Sequence, residues 1–204
     1  MYLKSNNTNQ RPAKEKNVLR RILGHLPWKL VGIFVIIGAI AVAVVDTTDY
    51  YFSSENFCAF TCHVMENTVY KEMQKSKHWT TASGVRPKCS DCHVSGRLTF
   101  AMWDHFIGTG ELFVWMANDF SNPEAFEVIR TAAAERVRME MLSNNSANCR
   151  RCHVMEAIKP TRKRGQTQHK DALKTGATCI ACHYNLVHKA VEPSKAFLKA
   201  TEVQ

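Results

Sequence analysis

Four short segments of this chain place two cysteines and a histidine in nearly the same arrangement. In chain order, the first motif, at 58–63, has three residues between its cysteines. The second, third and fourth motifs, at 89–93, 149–153 and 179–183, read Cys-x-x-Cys-His. Two thiols at this spacing can reach both vinyl groups of one haem while the next side chain reaches its iron, so the pattern predicts four haem c sites. The predicted attachment points are all eight cysteines: Cys58, Cys62, Cys89, Cys92, Cys149, Cys152, Cys179 and Cys182. The histidines that follow them are the candidate proximal ligands: His63, His93, His153 and His183.

Zinc sites, disulfides and redox dithiols also use paired cysteines. None of them requires a histidine directly after the second cysteine, and histidine fills only 9 of the 204 positions. Haem attachment therefore explains the pattern best. The wider spacing after Cys58 needs a bulged loop, and a haem held by one thioether, with Cys58 free, is the alternative there.

Histidines outside the four segments are candidates for the second axial ligands. Electron-transfer haems have two axial ligands, whereas catalytic haems leave one side open. His25 lies on the far side of an apolar segment and cannot serve. The histidines among the haem motifs are the predicted distal ligands: His78, His105, His169 and His188.

An apolar segment precedes all of the haem motifs. Residues 30–45 contain no charged or strongly polar side chain, and residues 26–45 are interrupted only by Lys29. Twenty helical residues span roughly 30 Å, the thickness of a bilayer core. We therefore predict a basic tail at 1–25, a transmembrane anchor at 26–46 and a haem domain at 47–204. A cleaved signal peptide is the alternative.

The charge distribution sets the topology and argues against one class of partner. Residues 1–29 hold seven basic residues and one acid, so most of the net charge of +9 belongs to this tail. The positive-inside rule then places the N-terminus in the cytoplasm and the haem domain in the periplasm, on the outer face of the inner membrane. The remaining residues are nearly balanced, so we expect no nucleic acid partner.

Helical patterns dominate the haem domain. Residues 66–79 predict a short helix that ends near His78, and Ser121-Asn-Pro-Glu124 starts a helix that runs to about Leu142. The expected fold is mostly α, with a single N-terminal transmembrane helix, a small multihaem domain of little regular secondary structure and no significant sheet. An apolar stripe on the second helix is expected to pack in the core: Ala125, Phe126, Val128, Ile129, Ala132, Ala133 and Val137.

Residues 98–116 are unusually apolar and aromatic, yet they include Asp104, His105 and Glu111. One interpretation is ordinary core. The other is an interfacial segment on membrane lipid whose polar residues face a quinone. Those three residues are then candidate proton donors or acceptors in quinone chemistry. A basic loop with Lys159, Arg162, Lys163 and Arg164 precedes His169 and is either solvated or a docking surface.

These features resemble the NapC/NrfH/NirT family of membrane-anchored tetrahaem c-type cytochromes, which are quinol dehydrogenases. The segments KSKHWTTASGVRPKCSDCH and HKDALKTGATCIACHYNLVH are especially similar to that family. The resemblance implies that Met65, rather than His63, ligates the first haem. It also implies that Glu111 corresponds to an acidic residue near the quinol site, whereas Asp104-His105 stands where the family often has lysine.

The three-residue gap after Cys58 is most like the membrane tetrahaem cytochrome of ammonia-oxidising bacteria. That resemblance implies a role in nitrification, with electrons passing from hydroxylamine oxidoreductase through a soluble tetrahaem cytochrome to ubiquinone. The residues leave the direction of flow, the quinone type and the oligomeric state open, whether a homo-oligomer or part of a larger complex.

The predicted function is electron transfer between the membrane quinone pool and periplasmic redox partners, either multihaem cytochromes or an oxidoreductase. Four haems c would carry the electrons, with quinol dehydrogenase or quinone reductase activity. One alternative is a haem enzyme that reduces a small nitrogen or sulfur oxide at an open iron. The other is a membrane adaptor stabilised by zinc or disulfides.

Overall fold

The computed structural model describes residues 24, 27–61, 63–117 and 123–202. Within these residues the chain is 71% helical and has no strand, which confirms the predicted mostly α fold. The basic tail, His25, Cys62 and the residues Ser121 and Asn122 lie outside the described residues. The chain divides into two units, Met1–Asp46 and Thr47–Gln204.

From Trp28 onwards, the described residues of the first unit belong to one apolar helix. Helix α1, Trp28–Phe52, has 25 residues, none of them buried. It is long and apolar enough to cross a membrane. It extends beyond the predicted anchor because Thr47 to Phe52 continue the helix into the second unit.

The second unit is a succession of helices joined by short turns. A nearly continuous helical stretch leads from the first motif through two π-helical turns, Asn56–Phe60 and Glu66–Tyr70. A 3₁₀ turn covers Met155–Ala157. The α-helices are α2 His63–Met65, α3 Lys71–Gln74, α4 Cys89–His93, α5 Leu98–Ala117, α6 Pro123–Ser143, α7 Ala147–Arg150, α8 Lys163–Thr175, α9 Cys179–Cys182 and α10 Lys195–Glu202.

Two helix predictions had different outcomes. Helix α6 covers the predicted region, but the helix predicted at 66–79 stops at Gln74, and turns carry the chain from Lys75 to His78. The basic loop was also predicted too long, since Lys163 and Arg164 form the first turn of α8. Helix α8 ends at Gly176, whose φ of 76° suits a residue without a Cβ atom.

The apolar stripe of α6 is only partly in the core. Phe126 is buried, and Ala125, Ile129, Ala133 and Val137 are half-buried. The prediction was wrong for Val128, which is 83% exposed, and for Ala132, which is exposed. Helix α6 instead buries two charged residues, Arg130 and Arg138.

The apolar core of the second unit is small. Leu142, Ile180 and Phe197 form its buried centre, where α6, α9 and α10 meet. Only eight apolar side chains are buried among the described residues. Hydrogen bonds and ion pairs of polar side chains must therefore contribute to holding these helices together.

Candidate haem-binding sites

Each Cys-x-x-Cys-His motif folds into a short helical turn. Lys88 and Thr178 are extended, and helices α4 and α9 begin directly after them. In the third and fourth motifs the histidine N–H donates to the carbonyl of the first cysteine, at 2.9 Å in both cases. The two thiols and the imidazole of each motif therefore belong to one helical turn.

The first motif has a wider turn. Cys58 lies in the π-helical segment Asn56–Phe60, which accommodates more residues per turn than an α-helix. This turn takes the place of the bulged loop expected from the sequence. Cys62 itself lies outside the described residues.

Three histidine pairs bring the ring of a motif histidine close to the ring of a histidine from elsewhere in the chain. The ring centres are 6.1 Å apart for His93 and His188, and 6.1 Å for His78 and His153. They are 6.0 Å apart for the third pair, His169 and His183. Each pair thus joins one predicted proximal ligand to one predicted distal ligand.

This separation fits one iron between two imidazoles. A metal–imidazole bond is about 2 Å long and the ring centre lies about 1 Å beyond the nitrogen, so two such rings are about 6 Å apart. The ring planes differ in orientation, at 85° for His78 and His153 but 33° for His93 and His188. The third pair has an interplanar angle of 39°.

The surroundings prepare the distal histidines as neutral ligands. His169 Nδ1 lies 2.8 Å from the Gly165 carbonyl, which can only accept, so Nδ1 carries the proton and Nε2 is free to bind a metal. Burial lowers the pKa of His78, and the neighbouring His153 lowers it further. Both effects favour the unprotonated nitrogen that coordination requires.

Burial raises the pKa of four motif thiols, Cys58, Cys89, Cys92 and Cys149, and their electrostatic neighbours follow chain order. Burial raises the pKa of Cys89 to about 11, and Cys58 contributes to the rise. Burial likewise raises the pKa of Cys92, with Cys149 adding to it, and that of Cys149, with Cys179 adding to it. Thiols of consecutive motifs therefore lie within electrostatic range of each other, and the seven described cysteines are free.

Polar side chains connect the first three motifs in order. Ser90 Oγ donates to the Ser53 carbonyl at 2.7 Å, which ties the second motif to the chain just before the first. Asn148 Nδ2 donates to the Cys92 carbonyl at 2.9 Å. Arg151 Nη1 donates to the Val94 carbonyl at 3.0 Å, so two side chains near the third motif hold the second.

A buried serine connects the third motif to the fourth. Ser146 is fully buried, with a left-handed backbone at φ 52° that ends α6 and begins α7. Its Oγ lies 2.5 Å from Thr178 Oγ1 and accepts a hydrogen bond of 3.0 Å from the Ile180 N–H. Since Thr178 is the N-cap of α9, this contact fixes the start of the fourth motif.

Two buried arginines of α6 hold the segment that carries His188. Arg138 donates from Nη2 to Asn185 Oδ1 at 2.8 Å and to the Val191 carbonyl at 2.6 Å. Its Nη1 donates to the Glu192 carbonyl at 3.3 Å. Arg130 binds the carboxylate of Glu72 through two nitrogens, at 3.1 and 2.7 Å.

The predicted quinone-site residues all lie on α5 but have separate partners. Asp104 Oδ2 accepts a hydrogen bond of 2.8 Å from the N–H of Ser95, which lies shortly before this helix. His105 Nδ1 lies 3.3 Å from Asp49 Oδ1, and both side chains are about one-fifth exposed. Glu111 forms an ion pair of 2.5 Å with Arg136. The structure therefore places His105 beside an acid, not beside a motif histidine.

Glu140 is a further acid near the predicted quinone-site residues. Glu140 of α6 lies within electrostatic range of Asp104 and Glu111. Partial burial raises the pKa of Glu140, Asp104 and Glu111 raise it further, and Arg136 opposes them. This carboxyl therefore holds a proton more readily than an ordinary glutamate does.

Helix α5 is not ordinary core. Ala101 is its only buried residue within the part of the chain that the structure describes. The core interpretation of residues 98–116 is therefore wrong. The apolar side chains that α5 exposes are Leu98, Phe100, Met102, Trp103, Phe106, Ile107, Leu112, Phe113, Val114 and Met116.

The two candidate ligands of the first haem differ in exposure. The side chain of His63 is 87% exposed, and its Nδ1 lies 3.9 Å from Glu66 Oε2. Met65 is half-buried at the end of α2. Neither residue belongs to one of the three histidine pairs, so the first motif differs from the other three.

Zinc has no site of the usual kind in the described ranges. No group of three or more His, Cys, Asp or Glu side chains is gathered there as metal ligands require. Two-histidine sites with paired cysteines beside them match haem c, whose iron takes four of its ligands from the porphyrin.

Sequence comparison agrees with this arrangement. Residues 25–193 match the N-terminal region of the NapC/NirT cytochrome c family. The chain belongs to this family. Membership makes the protein a membrane-anchored c-type cytochrome that binds haem covalently and transfers electrons.

The cytochrome is similar to several known proteins. It is 37% identical to the cytochrome c-type protein NapC of Escherichia coli over 139 residues, which are 67% of this chain and 69% of that protein. It is 38% identical to a probable tetraheme cytochrome c-type protein of Nitrosomonas europaea over 160 residues, 76% of this chain and 66% of that one. The denitrification system component NirT of Stutzerimonas stutzeri is 33% identical over 142 residues, 69% and 70% of the two chains. No solved structure matched the cytochrome.

Proposed function

We propose that this cytochrome carries four haems c and passes electrons between quinol in the membrane and redox proteins in the periplasm. The three histidine pairs at 6.0 to 6.1 Å carry the proposal, because each offers two axial ligands beside a pair of cysteines. The name of the Nitrosomonas europaea relative supports the count of four. The positive tail before α1 supports a cytoplasmic N-terminus and a periplasmic haem domain.

In this proposal, three of the motifs each have two histidines that would hold a haem. His93 and His188 would serve the second motif, His153 and His78 the third, and His183 and His169 the fourth. For the first motif, Met65 or His63 supplies the ligand. Bound haem supplies one-electron chemistry and the visible absorption by which it is followed.

The protein's own contribution is to keep the motifs in sequence and their ligands in place. Ser90, Asn148 and Ser146 each connect a motif to its neighbour. These contacts support a path that runs from the first motif to the fourth.

The first motif and α5 are the proposed quinol site. His105 is paired with Asp49, and Asp104 lies near Glu140, so each offers a carboxylate or imidazole to take a proton from quinol. The exposed apolar side chains of α5 would lie in membrane lipid, as an interfacial helix requires. Glu111, held by Arg136, is the third candidate proton acceptor.

The partners follow from the family. Members of the family exchange electrons with quinol and periplasmic redox proteins, which supports a periplasmic redox protein as the partner. The relative from Nitrosomonas europaea supports the alternative of a role in nitrification.

Stopped-flow reduction of the full-length protein in vesicles tests this function. We expect quinol to reduce the haems, and their visible absorption measures the rate of this reduction. The substitution His105→Gln should slow the reduction about a hundredfold, which is a usual contribution of a general acid or base. Glu156→Gln, an exposed control, should change nothing. Haems that dithionite reduces but neither quinol nor quinone affects would refute the proposal.

A further inference from the structure

Glu72 is a carboxylate beside one of the histidine pairs, and the sequence gives no sign of it. It lies on α3, where its side chain is only 21% exposed. Its Oε2 is 3.7 Å from Nδ1 of His188, which is a buried nitrogen. The same oxygen accepts a hydrogen bond of 2.9 Å from the backbone N–H of Lys189. The backbone of Val69 also hydrogen-bonds His188.

Arg130 fixes that carboxylate in one orientation. Its guanidinium bonds both oxygens of Glu72, and its side chain is only 8% exposed, so the pair is shielded from solvent. A two-point bond between planar groups leaves the carboxylate little freedom to rotate. Glu72 therefore holds its position against the segment that carries His188.

Two further charges complete the cluster. Glu127 binds Arg130 at 2.7 Å and Lys189 Nζ at 2.8 Å. The cluster thus has two carboxylates and two cations. Glu72 is the carboxylate that faces His188, whereas Glu127 is 41% exposed on the outer side.

We propose that Glu72, held by Arg130, is a positioning residue that sets the reduction potential of the haem ligated by His93 and His188. The inference rests on the proposed function, since it needs that histidine pair to hold a haem. A carboxylate next to an axial imidazole orients the ring and makes it a stronger donor. A fixed negative charge also stabilises the oxidised, more positive state of the site, so Glu72 lowers the potential.

The cluster makes the sign of the effect testable. Removing the negative charge of Glu72 leaves an uncompensated cation and should raise the potential. Removing the positive charge of Arg130 leaves an uncompensated carboxylate and should lower the same potential. A residue that only stabilised the fold would give no such opposite pair of shifts.

The experiment is a potentiometric titration of the full-length cytochrome, followed by visible and EPR spectra, at pH 7.5. We expect Glu72→Gln to raise the reduction potential of one haem by about 59 mV. At a fixed ambient potential, this shift is about a tenfold rise in the ratio of reduced to oxidised haem. Arg130→Met should shift the same haem downwards. Glu127→Gln, the matched control, should shift it by clearly less.

Two results would overturn the inference. One is an intact Glu72→Gln protein whose potentials are all unchanged, and the other is a shift of the same sign in both variants. If Glu72→Gln does not assemble, Arg130→Met decides alone, since a potential that stays or rises refutes the idea. Reduction of the wild-type preparation by quinol is measured alongside, so failure of the proposed function is seen separately.

Discussion

Replacing Arg138 with methionine should destabilise the haem domain more than any surface substitution. Arg138 is buried, with 4% of its surface exposed, and it closes the loop between the fourth motif and α10. It donates hydrogen bonds to Asn185 and to the carbonyls of Val191 and Glu192, and its guanidinium lies 5.3 Å from the centre of the Tyr184 ring. His188 lies inside the loop that these contacts hold.

The magnitude follows from the bonds that are lost. Hydrogen bonds to charged groups contribute about 1.5–3 kcal/mol each, and two of the three are short. Bonds that share one donor group are not additive, so we expect a loss of about 3 kcal/mol in the free energy of unfolding. Methionine fills much of the volume, which isolates the polar loss from a cavity.

Urea unfolding of the detergent-solubilised protein, followed by circular dichroism, measures this loss. Arg136→Met is the matched control, since Arg136 lies on the same helix but is 60% exposed in its ion pair with Glu111. The control should cost no more than about 1 kcal/mol. Equal effects of the two substitutions would refute the role of the Arg138 clamp.

Three further predictions concern the ligands, a motif contact and pH. The imidazoles of His78 and His153 are nearly perpendicular, and such an arrangement leaves two iron d orbitals nearly equal in energy. A haem held by this pair should therefore give an EPR signal with one very large g value. Haems held by the 33° and 39° pairs should give ordinary rhombic signals. Ser146→Ala should cost about 1–3 kcal/mol in urea unfolding, because the buried Thr178 hydroxyl and the Ile180 N–H lose their partner. Hydrogen bonds from Arg130 and then Lys189 lower the pKa of Glu127 to about 2 from its ordinary 4.5, so its stabilising contribution is present above pH 4.5 and is lost as the pH falls towards 2. The stability gap between wild type and Glu127→Gln in thermal unfolding should therefore shrink over that range.

Each of these has a clear contrary result. Three identical EPR signals would mean that the ring orientations do not persist when haem is bound. A Ser146→Ala protein as stable as one with Ser143→Ala, an exposed serine at the end of α6, would remove the importance of the motif contact. A gap for Glu127→Gln that stays constant, or that grows as the pH falls, would contradict the assigned pKa.

The sequence predicted those features that depend on local spacing. Each cysteine motif and the start of α6 at Pro123 depend on a few neighbouring residues, and the apolar segment is one continuous run of the chain. Three of the four histidines predicted as distal ligands, His78, His169 and His188, each lie beside a motif histidine. Their pairing could not be predicted, because His188 and His93 are far apart in the chain.

Side chains that act over long range were missed for the same reason. Glu72 and Arg130 lie far apart in the chain, and a lone glutamate in a short helix has no motif. The arginines of α6 also explain why the apolar stripe was overestimated, since periodicity counts apolar residues and ignores a buried cation that has found its partners. Glu140 was overlooked because its raised pKa depends on acids of another helix.

The most direct test of the account is the intact mass of the purified full-length protein, with peptide mapping of each cysteine motif. The account predicts a polypeptide carrying four haems, one on each motif. A chain with bare thiols at Cys89 and Cys92, at Cys149 and Cys152, or at Cys179 and Cys182 would contradict it.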